Sequence, residues 1–257
     1  MLSRCLILLP VFLFLSLFCV SQNDRNYAVD DEQAKEIYSR EFYNDYGFLF
    51  GREYKLYHVA LETSPMFDAS LALEGTIYSN GESYSAMLAY DIFKDEIVFV
   101  SGLFKDFNFI RINKSVVDSF SLITNPSSKS PLKLKQEETY HFVKVDFKGK
   151  TNIPLNDGYY EVTNIGDKQL LIHHEAIQNN NEGEEAIVHG IFRYDYVQNK
   201  ILFVNGKYYE INKKRKLIKL FPRYKKSINR KLQRYATRYD LLGKNQLIEI
   251  IQLTNPR

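Results

Sequence analysis

The sequence of 257 residues carries 34 Lys or Arg against 31 Asp or Glu, which gives a formal net charge of +3. It contains 19 Tyr and 18 Phe but no Trp, and aromatic residues favour half-buried β-strands. Both cysteines lie within the first 20 residues, so a disulfide framework and cysteine catalysis are excluded for the rest of the chain. A chain of this length can still bury a core of its own.

The first 21 residues have the order of a secretory signal peptide. Arg4 precedes an apolar run over residues 5–20, and a small residue and a polar stretch follow it. The run contains Pro10 and is shorter than the ~20 residues that span a bilayer. We therefore expect residues 1–21 to be a cleaved signal peptide and residues 22–257 to form a single β-rich domain.

Two alternatives for this N-terminal segment stay open. Either it remains attached as a membrane anchor, or Cys19 is acylated and becomes the first residue of a lipoprotein. The bulky Phe18 argues against a lipoprotein, because such sites resemble a pattern with a small residue at that position. The expected location is exported: periplasmic, outer-membrane-associated or secreted.

Behind this segment, a short helix is predicted over residues 30–47, where acidic residues come early and a glycine ends the pattern. Strand signals follow it. The pair Asn80-Gly81 lies between two β-rich runs and predicts a tight hairpin, because such a turn needs positive φ angles. The meander continues with strands over residues 87–91 and 96–100.

Alternating apolar and polar residues predict further strands within residues 103–123 and 138–147, with a turn-rich break at 125–133 between them. Gly166-Asp167 lies between two apolar runs and predicts a second hairpin, and residues 179–185 read as a polar loop. The fold class we expect is mainly β, an α+β domain of antiparallel meanders and hairpins.

Two segments of the chain align without a gap: AYDIFKDEIVFVSG at residues 89–102 and RYDYVQNKILFVNG at residues 193–206. Their shared apolar positions are two residues apart and so face one side of a sheet. We therefore expect two related halves, each with a strand, a turn and a strand. Asp91 and Asp195 are equivalent in this alignment. A functional carboxylate is one interpretation of them, but Asp at the end of a strand usually organises a turn.

The tail of the chain has a helical pattern. Apolar or aromatic residues recur at every third or fourth position, which is the spacing of one helix face, at Leu217, Phe221, Tyr224, Ile228, Leu232, Tyr235, Tyr239 and Leu242. Pro222 does not fit a helix interior, so we expect C-terminal helices from about residue 214, with a break near Phe221. Gly243 suits the end of the longer helix, and residues 246–253 fit a helix or a strand.

Positive charge is concentrated in the same tail. From Lys207 to Lys244 there are 14 Lys or Arg against Glu210 and Asp240, a local net charge of +12, and the chain without Arg4 and this segment has a net charge of −10. Clustered cations concentrate polyanions. The predicted anion-binding residues are Lys213, Lys214, Arg215, Lys216, Lys225, Lys226, Arg230 and Lys231.

The structural interpretation of these cations is a solvated helix face whose tyrosines are buried. If the rings of Tyr224, Tyr235 and Tyr239 were exposed, they would allow stacking on bases. The partner we expect is an anionic envelope lipid, glycan or protein, and nucleic acid is the least favoured ligand for an exported chain.

Familiar catalytic patterns are missing from the sequence, which has no GxSxG elbow, no HExxH helix and no phosphate-cradling glycine loop. The adjacent His173-His174 suggests a site, but neighbours on a strand point to opposite faces and do not easily chelate one metal. A metal there would need distant His141 or His189. We assign no catalytic residue, no metal ligand and no cofactor.

The sequence resembles a large group of exported, β-rich proteins of unknown function from Gram-negative bacteria. The segments that carry this resemblance are GTIYSNGESYSAMLAYDIFKDEIVFV, DGYYEVTNIGDKQLLIHHEA and NGKYYEINKKRKLIKLFPRYKKSINRKL. The resemblance implies an exported bacterial protein and carries over no functional residue. The favoured function is a non-enzymatic envelope or extracellular binding protein. The alternatives are a hydrolase with a carboxylate or histidine site and a structural assembly partner in the cell envelope.

Overall fold

The computed structural model describes residues 52–57, 60, 61, 63–101, 108–125, 136–147, 155–179, 191–235 and 237–255. The predicted signal peptide and the helix predicted over residues 30–47 lie outside these described residues, as do most of the turn-rich break and most of the polar loop.

The described chain forms one sheet of twelve strands, so the prediction of a mainly β fold is confirmed. The strands are β1 (Arg52–Glu53), β2 (Ala60–Leu61), β3 (Leu73–Ser79), β4 (Glu82–Asp91), β5 (Glu96–Ser101), β6 (Asn108–Arg111), β7 (Ser119–Thr124), β8 (Glu138–Val145), β9 (Gly158–Ile165), β10 (Lys168–Asn179), β11 (Ile191–Val204) and β12 (Lys207–Glu210). Their order across the sheet is β1-β6-β5-β4-β3-β7-β8-β9-β10-β11-β12, with antiparallel neighbours. The remaining strand, β2, pairs in parallel with β11.

Both predicted hairpins are present in the sheet. Asn80 and Gly81 join β3 to β4 with φ angles of 51° and 83°, the positive pair that a tight primed turn requires. Gly166 adopts a φ of 63° where β9 turns into β10. Turn chemistry therefore sets the register of these two strand pairs.

The expectation of two equivalent halves is not confirmed. The first aligned segment folds as the end of β4, a turn over residues 92–95 and then β5, whereas its partner at residues 193–204 belongs to one continuous strand, β11. Residues 196–199 take the place of the turn, and each of them pairs with a residue of β10. The long ladder between β10 and β11 thus keeps extended a segment that turns in the first copy.

Asp91 acts as a turn organiser, as the sequence suggested. Its Oδ1 accepts the backbone N–H groups of Phe93 at 2.9 Å and Lys94 at 3.0 Å, and its Oδ2 accepts the hydroxyls of Tyr54 at 2.6 Å and Tyr57 at 2.7 Å. Asp195 lies within β11, where it is exposed. The two aligned carboxylates therefore do not share a role.

The sheet curls so that strands far apart in its order meet. β4 and β10 are five positions apart in the strand order, yet the Ala176 N–H donates to the Ile92 carbonyl at 3.3 Å. Phe67 fills the space inside the curl, with its ring 5.0 Å from those of Tyr140 and Phe142. The buried aromatic side chains thus form the core of the curled sheet.

Two hydrogen bonds of the Thr63 side chain reinforce the parallel pairing of β2 with β11. The Thr63 hydroxyl donates to the Tyr194 carbonyl at 2.7 Å and accepts the Tyr194 N–H at 2.6 Å. One side chain therefore satisfies both backbone groups of a strand residue, as a neighbouring strand would.

Three helices follow the sheet: α1 (Lys214–Leu220), α2 (Lys225–Tyr235) and α3 (Lys244–Gln252). The predicted break at Pro222 is confirmed, because this residue opens a 3-10 turn between α1 and α2. Gly243 is the residue before α3 and not the end of α2, so that expectation was wrong. The undecided segment, residues 246–253, is almost entirely helical.

The helices cover one face of the sheet. Their buried residues, among them Leu217, Ile228, Leu247 and Ile250, pack with Ile172 and other sheet residues in one apolar cluster. Within the described part of the chain, no helix has the length and apolar character needed to cross a membrane.

Candidate functional site

A cleft of about 940 Å³ opens between the sheet and the start of α3. Residues of β8, β9 and β11 line one side, and the segment around the 3-10 turn Tyr239–Leu241 and the first turn of α3 line the other. Pockets of this size accommodate small molecules. The residues that line the cleft include Gln136, Glu138, Tyr140, Glu161, Tyr196, Gln198, Asn199, Lys200, Asn212, Asp240, Leu241, Leu242, Lys244, Asn245 and Gln246.

A chain of buried polar side chains lies at the sheet side of the cleft. His174 of β10, 1% exposed, contacts the Tyr196 hydroxyl through Nδ1 and the Glu161 Oε2 through Nε2 at 2.8 Å. Gln198 donates its amide to the Tyr196 oxygen at 3.0 Å. An ionised carboxylate only accepts hydrogen bonds, so Nε2 is the ring nitrogen that donates to Glu161.

Lys244 extends this chain toward the mouth of the cleft. Its Nζ lies 2.9 Å from Glu161 Oε1 and 2.6 Å from Glu138 Oε1, and it sits 4.2 Å from the centre of the Tyr140 ring. Glu161 Oε1 accepts no well-aligned hydrogen bond, so its contact with Lys244 is an ion pair. One ammonium group thus balances two carboxylates that come from neighbouring strands.

The charges in this network reinforce one another. Burial alone would raise the pKa of the Glu161 carboxyl, but its hydrogen bond to His174 and the charge of Lys244 outweigh burial and lower the pKa. Burial opposes the charged form of Lys244, yet the two glutamates raise its pKa above the usual value. Glu161 and Lys244 therefore stay ionised at neutral pH.

The tyrosine at the other end of the network stays protonated. Burial is the main cause that raises the pKa of Tyr196 well above its usual value, and the negative charge of Glu161 adds to it. Its hydroxyl is therefore a hydrogen-bond donor and not a ready nucleophile at neutral pH. The network as a whole is suited to holding side chains in place.

The two adjacent histidines behave as predicted for strand neighbours. His173 stacks on the Tyr160 ring with centroids 4.8 Å apart, whereas His174 meets the Phe67 ring edge-to-face at 4.9 Å. Among the described residues, no group of three or more His, Cys, Asp or Glu is arranged to hold a metal ion. His141 is exposed on β8, and His189 lies outside the described part.

The eight predicted anion-binding residues all lie on or next to α1 and α2. Two of them have acidic partners: Lys216 pairs with Glu210 at 2.6 Å, and Lys231 pairs with Glu249. The other six are exposed, and none of them makes an ion pair within the part of the chain that the structure describes: Lys213, Lys214, Arg215, Lys225, Lys226 and Arg230.

The tyrosines interleaved with these cations belong to the core side of the helices. Tyr239 is 9% exposed and donates its hydroxyl to the Ile211 carbonyl at 2.8 Å. Tyr224 and Tyr235 are half-buried against the same apolar cluster. Tyr239 is therefore buried, and Tyr224 and Tyr235 are packed against the core over part of their surface.

Sequence reasoning did not single out Glu161, Tyr196 or Lys244 as site residues. Glu161 and Tyr196 are brought together through His174 because β9, β10 and β11 are neighbours in the sheet, and Lys244 reaches Glu161 from α3, which contacts β9. One signal was available: Glu161 is the only ionisable acid in the strand GYYEVTNI, and a buried carboxylate needs a partner.

Comparisons of the chain with protein-family models, with curated proteins and with solved structures returned no match.

Proposed function

We propose that this chain is an exported, non-enzymatic binding protein whose basic helical face meets an anionic envelope lipid or glycan. The basic helical face consists of the exposed residues Lys213, Lys214, Arg215, Lys225, Lys226 and Arg230. We also propose that residues 1–21 are a cleaved signal peptide and that residues 30–47 form a short helix. The proposed location is periplasmic, outer-membrane-associated or secreted.

One observation carries this proposal: the basic side chains face solvent on a surface fixed by its own apolar side. Leu217 and Ile228 are fully buried and Leu232 is 7% exposed, so α1 and α2 cannot rotate without exposing the core. These six cations make no ion pair with any other described residue, and exposed cations of this kind concentrate phosphate and carboxylate groups.

The test measures binding to vesicles of phosphatidylglycerol and phosphatidylcholine, and separately to a carboxylated polysaccharide such as polygalacturonate. We expect the affinity to fall as salt rises, because screening weakens contacts between exposed charges. Binding to the vesicles alone would assign a lipid partner, and binding to the polysaccharide alone would assign a glycan.

Two variants with the same change in net charge separate the face from the total charge. Lys225→Glu with Lys226→Glu reverses two cations of the basic helical face, and Arg52→Glu with Lys55→Glu reverses two exposed cations on and near β1. We expect the first variant to lose binding and the second to keep it. Binding that ignores salt, or that survives reversal of Lys213, Lys214, Arg215 and Lys216, would refute the proposal.

A hydrolase is the second candidate function, and the Tyr196–His174–Glu161 arrangement favours it. A hydroxyl on an imidazole that is in turn held by a carboxylate is the relation of a nucleophile, its base and an orienting group. The raised pKa of Tyr196 weighs against it. The test is a panel of chromogenic esters, phosphates and glycosides, on which Tyr196→Phe and His174→Ala should abolish any turnover of the unaltered protein.

A further inference from the structure

The lysines of the cleft beside α3 have partners within the protein, unlike the cations of the basic helical face. Lys244 is shared between Glu138 and Glu161. Lys200 donates to the backbone carbonyls of Asp240 at 3.3 Å and of Leu242 at 3.2 Å. Both cations that the described residues contribute to the cleft are thus engaged within the protein, so this part of the lining offers no free positive charge to an anion.

The carboxylates of the cleft are engaged as well. Glu161 is held by His174 and Lys244, and Asp240 accepts two hydrogen bonds from Arg238, at 3.2 Å and 2.7 Å. A cationic ligand would have to displace Lys244 to pair with the buried Glu161, which is costly, whereas the Asp240–Arg238 pair is exposed. The ligand that this lining tolerates best is therefore uncharged.

Side-chain amides supply most of the remaining polar lining. They come from four separate places around the cleft: a position two residues before β8, the strand β11, the turn before α1, and the first turn of α3. Each amide carries two donor hydrogens and an acceptor oxygen. The six residues are Gln136, Gln198, Asn199, Asn212, Asn245 and Gln246.

Several of these amide atoms still have hydrogen-bonding capacity. Gln198 uses its nitrogen on Tyr196, and Gln246 uses its oxygen on the Gly243 N–H at 3.1 Å. Within the described residues, Gln198 Oε1 and Gln246 Nε2 make no hydrogen bond, and Asn245 is exposed. Amides with unused donors or acceptors thus line the cleft from the β11 side and from the α3 side, whereas Asn199 and Asn212 are bound to each other at 3.2 Å.

An apolar surface accompanies these amides. Leu241 lines the cleft and is 67% exposed, the largest exposure among the exposed large apolar residues of the described chain. An apolar side chain left open beside hydrogen-bonding groups suits a ligand that has both hydroxyl groups and a C–H face.

We propose that this cleft binds an uncharged saccharide. Sugar hydroxyls both donate and accept hydrogen bonds and radiate in several directions, as the amides around the cleft do, and a sugar ring presents C–H groups to Leu241. The Tyr196–His174–Glu161–Lys244–Glu138 network holds the floor of the cleft in one arrangement, so little ordering is left for the moment of binding. The proposal is independent of the basic helical face.

Isothermal titration calorimetry with neutral oligosaccharides of glucose, galactose, mannose or N-acetylglucosamine tests this proposal. We expect saturable binding of at least one of them, with little change between low and high salt. The variant Gln198→Ala with Asn245→Ala should bind about ten-fold more weakly, the loss expected for two neutral hydrogen bonds. Leu241→Ser should also weaken binding, since it removes the apolar contact.

A matched control removes two amides elsewhere on the sheet. Gln169 donates to Asn164 at 3.1 Å at the β9–β10 hairpin, and Asn164→Ala with Gln169→Ala should leave saccharide binding unchanged. The Lys225→Glu, Lys226→Glu variant should leave it unchanged too, which separates this site from the anionic partner. No binding by any sugar of the panel, equal binding by the Gln198, Asn245 variant, or binding of neutral trialanine in place of the sugars would overturn the proposal.

Discussion

At the scale of single residues, Lys244 has the most consequential contacts of the cleft. It pairs with the carboxylates of Glu138 and Glu161, and Glu161 is only 2% exposed. Removing one partner of a buried ion pair leaves an uncompensated charge. We expect Lys244→Met to lower the free energy of unfolding by about 3 kcal/mol, measured by urea denaturation.

A double-mutant cycle checks the cause of that loss. Glu161→Gln in the Lys244→Met background removes one of the two carboxylates that lost the lysine and should recover part of the stability. The control is Lys207→Met, an exposed lysine of β12, which should change the free energy of unfolding by no more than about 0.5 kcal/mol. Equal losses in the two lysine variants would contradict the interpretation of Lys244.

His173 predicts a pH dependence of stability. Burial lowers its pKa below 6.5, although Asp95 and Glu175 act in the opposite direction. The unfolded chain therefore takes up a proton near pH 6.5, while the folded chain resists it to a lower pH. The stabilising contribution is complete above pH 6.5 and falls as the pH drops toward the lowered value.

Thermal unfolding between pH 7.5 and pH 5.5 measures this dependence, with about one midpoint every half unit. We expect the unaltered protein to lose stability across this range and His173→Phe, which keeps a ring on Tyr160, to lose less. His141→Asn, at an exposed position of β8, should follow the unaltered protein. A His173→Phe curve parallel to the unaltered one would contradict the assignment.

Residue-level roles followed from the sequence only where they were local. The opposite faces of His173 and His174 follow from the geometry of any strand. The turn role of Asp91 follows from hydrogen bonds to backbone groups only two and three residues further along the chain. The meeting of Glu161, Tyr196 and Lys244 depends on the strand order and on the packing of α3 against β9, which pattern and spacing do not encode.

At the scale of elements, Gly75 shows how closely β3 is held between its neighbours. A Cβ atom at this position would lie 2.4 Å from the Ser121 carbonyl oxygen and 2.8 Å from Leu88 Cδ1. β3 is paired on both sides, with β4 and β7, so the backbone cannot shift away from the contact. Gly75→Ala should therefore lower the free energy of unfolding by about 2 kcal/mol.

Equilibrium unfolding in urea measures the effect of this substitution. Ser85→Ala provides the control, since Ser85 is exposed on the adjacent strand β4 and its loss should cost about 0.5 kcal/mol or less. A Gly75→Ala variant as stable as this control would show that β3 can move.

Elements were predictable where local chemistry decided them. Asn80-Gly81 and Gly166 fixed hairpins, and Pro222 fixed the break between α1 and α2. The long strand β11 was not predictable, because its pairing with β10 overrides the turn that the aligned segment makes elsewhere. Glycine occurs both just before and just after helices, so Gly243 alone could not show whether a helix ends or begins there.

At the scale of the whole molecule, the sheet and the helices share one apolar cluster. Leu247 of α3 is fully buried in the cluster that also contains Leu202 of β11. We expect Leu247→Ala to cost about 3 kcal/mol and to leave a single unfolding transition, because neither layer keeps a dry core without the other.

Circular dichroism and tyrosine fluorescence, followed together in urea, test both parts of that expectation. Leu253→Ala is the matched control, since Leu253 follows α3 and is 37% exposed; its cost should be well below that of Leu247→Ala. Two separate transitions would contradict a shared core and would make the helices an independent layer.

The pairing of β2 with β11 has a consequence for the order of folding. Thr63 and Tyr194 are 131 positions apart, and Ala60 pairs with Ile191. Residues 60–63 therefore cannot reach their final place until the ribosome has made nearly all of the sheet. Contacts of such long sequence separation slow folding, because loop-closure entropy is lost before they form. A chain stalled before β11 would leave β10 paired with β9 alone and would expose its other edge to other chains.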